Sequence, residues 1–262
     1  MDSSSLFRLD DRVALVTGGS SGIGKMIAAG FVAQGAKVYI TSRKAGMCAA
    51  TAEELGSACI ALPQDVSSVE GCARLAAALG EREARLHILV NNAGAAWAAP
   101  LGDFPEQGWD KVFDINLKAP FFLTQSLLPL LKADREGGHP AKVINIASIE
   151  GIRLSALETY SYHASKAGLI HLTRRLAAQL VVDGVIVNAI APGAFASAMN
   201  RNAREDSDRL SRLIPARRIG DPEDIAAAAI YLASRAGNYV VGETIAVDGG
   251  LALASTGATV EP

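Results

Sequence analysis

The stretch TYSYHASK, residues 159–166, brings two tyrosines, two serines, a histidine and a lysine into eight consecutive positions. Any of these side chains can take part in proton transfer. A helix that starts near Glu158 and Thr159 and runs on through AGLIHLTRRLAAQL sorts them by geometry. Residues four apart share a helix face, so Tyr162 and Lys166 stand together. Tyr160 is turned about 240° from Lys166 and lies nearly two turns away. Ser161 and Ser165 fall off the face of this pair or at its side, and His163 points elsewhere. A free phenol titrates near pH 10, and a neighbouring ammonium favours the phenolate. Lowering the phenol by ~2 units takes ~2.7 kcal/mol, within reach of a close, partly desolvated cation. Tyr162 and Lys166 are thus a candidate pair for moving a proton to or from an oxygen. Taken alone, Tyr-x-x-x-Lys is equally a pair on a helix surface.

Such a pair has to be held by a fold. Seven short runs, RVALVT (12–17), KVYITS (37–42), CIALPQ (59–64), LHILVN (86–91), KVINIAS (142–148), VIVNAIA (185–191) and TIAVDG (244–249), are apolar on both faces and rich in β-branched residues. That is the pattern of buried parallel strands. The segments between them, such as GKMIAAGFVAQ (24–34) and SSVEGCARLAAALG (67–80), have helical spacing. Alternating strands and helices predict a single-domain Rossmann-type α/β fold over 1–262, a doubly wound seven-stranded parallel sheet with helices on both faces. Functional residues should then gather at the carboxyl ends of the strands. Met1–Leu9 and Ala254–Pro262 read as loose ends, and residues 193–220, rich in Arg and Ser, read as a lid.

TGGSSGIG (17–24) follows the first strand and opens the first helix. Gly18, Gly22 and Gly24 allow a tight turn and a close backbone approach to a pyrophosphate, whose charge a helix N-terminus favours. An ordinary glycine-rich βα turn has the same composition; the position between first strand and first helix argues for a dinucleotide. After the second strand come Ser42, Arg43 and Lys44, where an acid would hydrogen-bond a ribose 2′-hydroxyl. A hydroxyl and two cations suit a 2′-phosphate, and hence NADP(H), although exposed cations at a helix start would look the same.

TGGSSGIG, the NNAG at 91–94, Asn116, Ser148, Tyr-x-x-x-Lys at 162–166 and the PG at 192–193 occur together and in this order. The set resembles the short-chain dehydrogenase/reductase family, from about Leu9 to Leu251. The resemblance implies a catalytic group of Asn116, Ser148, Tyr162 and Lys166. Tyr162 would exchange the proton and Ser148, at the end of the fifth strand, would hold the substrate oxygen. Asn116 would back Lys166 through a water, and Lys166 would also hold the nicotinamide ribose. The cofactor would lie against Gly18, Ser20, Ser21 and Ile23, with Asp65 and Val66 at the adenine. Asn91 would support a ribose while Ala93 and Gly94 keep the groove shallow. In PGAFAS (192–197), Pro192, Gly193, the backbone around Phe195 and the hydroxyl of Ser197 would hold the carboxamide; Thr is the usual residue at 197. One departure concerns Ser21, where NADP-dependent members often carry a basic residue. Without these companions, Asn116 would read as a helix-breaking polar residue, Ser148 as a strand-end cap and NNAG as a turn.

Within the family the whole chain is most similar to NADPH-dependent 3-oxoacyl reductases of the rhamnolipid-synthesis type. That implies a ketone reductase acting on a 3-oxoacyl thioester or related β-keto compound. The alternatives are a secondary-alcohol or polyol dehydrogenase working oxidatively, and a catalytically silent NADP(H)-binding regulator. The interval from Ser148 to Tyr162 is slightly long for the family, which would set Arg153, Leu154 and Leu157 near the substrate mouth. Between Met199 and Arg218, Arg201, Arg204, Arg209, Arg212, Arg217 and Arg218 face Glu205, Asp206 and Asp208 in number, a balance of +3 (six minus three). Beside Leu210, Leu213 and Ile214 these could meet a phosphopantetheine or an acidic carrier, or simply form a solvated helix.

The rest of the composition narrows the partners. A net charge of −2, from 25 basic and 27 acidic residues, gives no electrostatic footprint for nucleic acid or an anionic membrane. Cys48, Cys59 and Cys72 form no C-x-x-C, which suggests neither a metal site nor a disulfide framework but reduced thiols in a cytoplasmic protein. No apolar run reaches the ~18 residues of a membrane span, and MDSSSLFRLDD lacks the features of a signal peptide. Family members are commonly homodimers or homotetramers, and the alanine-rich helices fit such packing.

Overall fold

The computed structural model describes residues 5–132, 139–196 and 207–254. All seven expected strands form: β1 (Val13–Thr17), β2 (Lys37–Thr41), β3 (Cys59–Ala61), β4 (Ile88–Asn91), β5 (Ala141–Ile146), β6 (Val185–Pro192) and β7 (Thr244–Val247). They pair in parallel in the order β3-β2-β1-β4-β5-β6-β7. The order reverses between β1 and β4, so the connections leaving these two neighbours diverge and open a crevice at their carboxyl ends.

Alternate residues of each strand enter opposite cores. Ala14 and Val16 of β1 pack on one side with Ile27, Ala28 and Phe31 of α1 (Gly22–Ala33), Cys48 of α2 (Ala45–Leu55) and Ile225 and Ala229 of the helix Pro222–Ala233. Leu15, between them, joins Leu75 and Leu79 of α3 (Val69–Gly80), Leu123 and Leu127 of a helix over Ala119–Leu131, and Leu180 of the helix Tyr160–Leu180. Strands apolar on both faces are thereby explained. Gly30 sets the spacing of the first layer: a Cβ there would stand 2.7 Å from that of Ala226.

Beyond β4 runs α4 (Glu106–Phe113), which passes through a π turn (Asp114–Lys118) directly into α5 (Ala119–Leu131). After β5, the 3-10 turn Ile149–Gly151 leads into α6 (Tyr160–Leu180). The helix expected to start near Glu158 and Thr159 starts at Tyr160. α7 (Ser207–Leu213) and α8 (Pro222–Ala233) precede β7. Part of the expected lid, residues 197–206, lies outside the described residues, as does most of the C-terminal end.

The N-terminal segment is not loose over its described part. Leu9 is 1% exposed and belongs to the α1 core. Its N–H donates to the Gln34 carbonyl and the Ala236 N–H donates to that of Leu6. Leu9, four residues before β1, packs in the cluster that holds Ile27, Ala28 and Phe31 of α1. Among the described residues no helix is long and apolar enough to cross a membrane.

Candidate active site

The β1–α1 turn places Gly18 at φ 64° and Gly22 at φ 51°, conformations that side chains resist. Asn92, the residue after β4, holds this turn: its Nδ2 donates to the Thr17 carbonyl at 2.8 Å and to that of Gly18 at 3.3 Å. Thr17 Oγ1 in turn accepts from the N–H groups of Asn92 and Ala93, both at 2.9 Å. The two lips of the crevice are therefore tied together. At the start of α1 the cap residue Ser21 makes no side-chain cap bond and the first turn has no acid. No side chain of the cap or first turn therefore satisfies these amides. Ser20 is buried and its carbonyl accepts from Thr51, and Ile23 packs on the α1 core.

At the end of β2, Ser42 Oγ donates to the Lys44 carbonyl at 3.3 Å, while Arg43 and Lys44 are exposed and make no ion pair with the described residues. Asp65 accepts from the Ser67 N–H at 2.9 Å, and Val66 is buried beside Cys72. The thiols of Cys59 and Cys72 are pushed up to about 11 by burial, which makes them poor nucleophiles.

Across the crevice, Ser148 lies just past β5 and caps the 3-10 turn, its Oγ accepting from the Glu150 N–H at 3.2 Å. Tyr162 and Lys166 share the face of α6 that looks at it. The Lys166 Nζ stands 5.6 Å from the centre of the Tyr162 ring and donates to the Ile146 carbonyl at 2.7 Å. A Cβ on Gly94 would come within 3.8 Å of that Nζ and 3.1 Å of Asn116 Oδ1, so glycine there keeps the floor open. Tyr160 turns away, as helical spacing requires: its ring meets Phe104 edge-on at 5.8 Å and its hydroxyl meets Glu158.

The expected depression of the phenol is not what this structure has. Burial pushes Tyr162 up, a hydrogen bond from Ser148 offsets part of that, and the Glu150 carboxylate adds to the rise. Burial also lowers Lys166, to about 8. Desolvation is the largest cause of both shifts.

Asn116 sits in the π turn and is fully engaged. Its Oδ1 accepts from the Ala95 N–H at 2.9 Å; its Nδ2 donates to the Ala95 carbonyl at 2.9 Å and to Ser165 Oγ at 3.1 Å. Ser165 Oγ donates to the Tyr162 carbonyl at 2.9 Å. This buried serine connects Asn116 to the catalytic helix, a role not read from the sequence; its spacing one residue before Lys166 was the available signal.

Asn91 needs correction. Its side chain does not line the crevice but donates to Asn145 Oδ1 at 2.9 Å and to Thr124 Oγ1 at 3.3 Å, and Asn145 goes on to Thr173 at 2.9 Å. Strand pleat sends Asn91 inward to its register partner Asn145 and leaves Asn92 to face the turn. Any ribose contact from position 91 falls to the backbone. Pro192 ends β6, Gly193 packs 2.7 Å (for a notional Cβ) from Asp248, and the buried Phe195 bridges to Gly220. Ser197 lies outside the described residues. On the inserted loop Leu154 and Leu157 are 87% and 59% exposed, and Arg153 Nη1 donates to the Leu251 carbonyl at 3.0 Å.

A family model described as enoyl-(acyl carrier protein) reductase matches residues 18–252. The chain belongs to the short-chain dehydrogenase/reductase family. As a member it is an oxidoreductase acting on alcohol or ketone groups. It is 49% identical over 252 residues to the rhamnolipids biosynthesis 3-oxoacyl-[acyl-carrier-protein] reductase of Pseudomonas aeruginosa, covering 94% of this chain and 98% of the relative. It is 36% identical over 255 residues to a galactitol 2-dehydrogenase of Agrobacterium fabrum, covering 93% and 98%. Among solved structures, the Pseudomonas aeruginosa RhlG/NADP active-site complex superposes with a TM-score of 0.91 at 48% identity, covering 95% of this chain and 99% of that one.

Proposed function

We propose that this chain is an NADPH-dependent carbonyl reductase acting on a 3-oxoacyl thioester or a similar β-keto compound. The observation that carries the reading is the convergence of Ser148, Tyr162 and Lys166 on a crevice whose other lip is an uncapped, acid-free helix start. That donor set fits a dinucleotide phosphate: free first-turn amides for the pyrophosphate, and Ser42, Arg43 and Lys44 for a 2′-phosphate. The relatives named for 3-oxoacyl reduction and for an NADP complex support substrate class and cofactor alike.

NADPH, when bound, would supply the hydride. The chain's own part is to bind, orient and protonate. Ser148 donates to the ketone oxygen and holds it against the phenol. Tyr162, whose burial keeps it protonated through neutral pH, gives its proton to that oxygen. Lys166 would hold the nicotinamide ribose, and Asn116 with Ser165 fixes the helix turn that carries both. In the described part of the expected lid, Ile214 is anchored in the interior while Leu213 stays 59% exposed. The molecule works as a homodimer or homotetramer; support comes from an apolar groove of about 560 Å³ between the α4–α5 helix and α6, lined by Phe113, Leu117, Phe121, Phe122 and Leu172.

The fall in NADPH absorbance over 3-oxoacyl thioesters, β-ketoesters, aryl ketones and ketoses tests this, with polyols and NADP⁺ for the reverse. Tyr162→Phe should lower turnover at least about 100-fold with NADPH binding retained. Tyr160→Phe should change little. Equal losses in both variants, or tight NADPH binding without turnover of any ketone, would overturn the reading. The polyol dehydrogenase alternative, favoured by the galactitol 2-dehydrogenase relative, gains if polyols outrun the reverse reaction of 3-hydroxy thioesters.

A further inference from the structure

Arg153 starts in the loop after β5 and reaches a residue beyond β7. Its backbone N–H donates to the Ile149 carbonyl at 2.8 Å, next to Ser148, and its Nη1 donates to the Leu251 carbonyl at 3.0 Å. In the sheet β6 lies between β5 and β7, so the side chain crosses the carboxyl end of β6. Gly193, the first residue after that strand, packs against Asp248 on the far side. The described base of the expected lid meets the same turn: the Ala216 N–H donates to the Gly249 carbonyl, and Pro215 lies beside Gly250. Arg153 therefore stands at the mouth of the crevice, between the turn that Ser148 caps and the base of the lid.

Its charge has no counterpart there. Arg153 makes no ion pair with the described residues. The acids of the neighbouring turns are engaged elsewhere: Asp248 with the N–H groups of Gly250 and Ala252, Glu150 with Ser155 and His163, Glu158 with Tyr160. The Arg153 Nε is closed off from solvent and has no hydrogen-bond partner. A guanidinium carries five N–H donors in a rigid fork, accepts nothing and stays charged at any working pH. One donor is used on Leu251. A part-buried cation left so incompletely satisfied is destabilising until an acceptor reaches it. Beside it Leu154 and Leu157 are exposed, so the surface passes from donor to apolar within a few residues.

Resting on the reading of a β-keto substrate, we propose that Arg153 is a specificity-determining residue that donates to the second carbonyl of that substrate, the thioester or ester C=O next but one to the reacting carbon. Ser148 and Tyr162 take the ketone oxygen. N–H groups of Nη1 and Nη2 that the chain does not use take the other oxygen, and Leu154 and Leu157 meet the apolar part of the molecule. A simple ketone or a polyol has no carbonyl at that spacing.

The test compares two substrates in each enzyme at saturating NADPH: a 3-oxoacyl thioester, and the matched thioether in which a methylene replaces the C1 carbonyl. The readout is the ratio of their kcat/KM values. Their difference in intrinsic reactivity is the same in every variant, and a loosened mouth slows both, so neither changes the ratio. A thioether that binds without being reduced enters the comparison through its inhibition constant. Arg153→Met keeps the stem and removes the donors, and should lower the ratio by about tenfold to a hundredfold, the range for losing a hydrogen bond from a charged group. Equal losses on both substrates, or no loss on either, overturn the proposal and leave Arg153 a strut to Leu251. Should Arg153→Met fail to fold, Arg153→Lys decides by the same ratio. It keeps the charge but not the fork, so a fall of about threefold or more supports the proposal and an unchanged ratio overturns it. The substrate reading fails in a different way: a wild-type enzyme that reduces simple ketones but no 3-oxoacyl thioester removes that reading and the role of Arg153 with it. A preference for the thioester that survives in Arg153→Met leaves the reading intact and removes Arg153 alone.

Discussion

Arg43 sits on the rim of the crevice with nothing of the described chain to neutralise it. An exposed guanidinium of this kind is worth little to stability, but facing a phosphate it gains a bidentate, charge-assisted contact. Arg43→Ala should therefore weaken NADPH binding by about tenfold or more and leave NADH nearly unchanged, as read by cofactor fluorescence titration. Equal effects on both cofactors would move the 2′-phosphate contact away from position 43. Asn91 and Asn92 illustrate a different residue-scale point. They are the same amino acid side by side, and the pleat alone sends one into the Thr124–Asn145–Thr173 network and the other across to Thr17.

Among the elements, β5 carries an unexpected load. Lys142, its second residue, is 3% exposed, pairs in register with Ile88 and Ile186, and its Nζ has no hydrogen-bond partner. Burial, with Arg12 nearby, lowers it from 10.5 to about 8. Below about pH 8 the folded protein bears the cost of holding the ammonium there; between 8 and 10.5 the unfolded chain binds the extra proton and the penalty fades. Lys142→Met should stabilise the fold at pH 7 by on the order of 2 kcal/mol, read as a higher melting temperature, and the gain should shrink toward pH 10. A constant gain at both pH values would point to packing instead. The strand itself was legible because KVINIAS is apolar on both faces; the buried ammonium was not, since a lysine at a strand's first residues normally reaches water. The Tyr162–Lys166 pair was legible from i, i+4 geometry, whereas Ser165 and the Glu150–His163 pair depend on how the loop folds back on α6, which no local periodicity encodes.

On the scale of the whole molecule, one sheet separates two cores and one crevice joins them. The core on the α1 side reaches to the N-terminal segment, where Leu9 closes it. Leu9→Ala should cost roughly 2–4 kcal/mol and lower the thermal midpoint without altering KM for the ketone, because the change is buried beneath α1 rather than at the strand ends. An unchanged midpoint would return this segment to the loose end its composition suggested. The crevice, in contrast, is held by few bonds, chiefly Asn92 with Thr17 and Gly18.

The π turn at Asp114–Lys118 bears on how such a site can be gained or lost. A π turn is what a single extra residue looks like inside an α-helix, and it is less favourable than the regular turn it replaces. Removing one residue from this stretch would let α4 and α5 merge into an unbroken helix and rotate the segment by about 100°. Asn116 would swing out of reach of Ala95 and Ser165. The site thus stands one deletion away from a smoother helix, and a lineage released from the need to catalyse has an easy path to that repair.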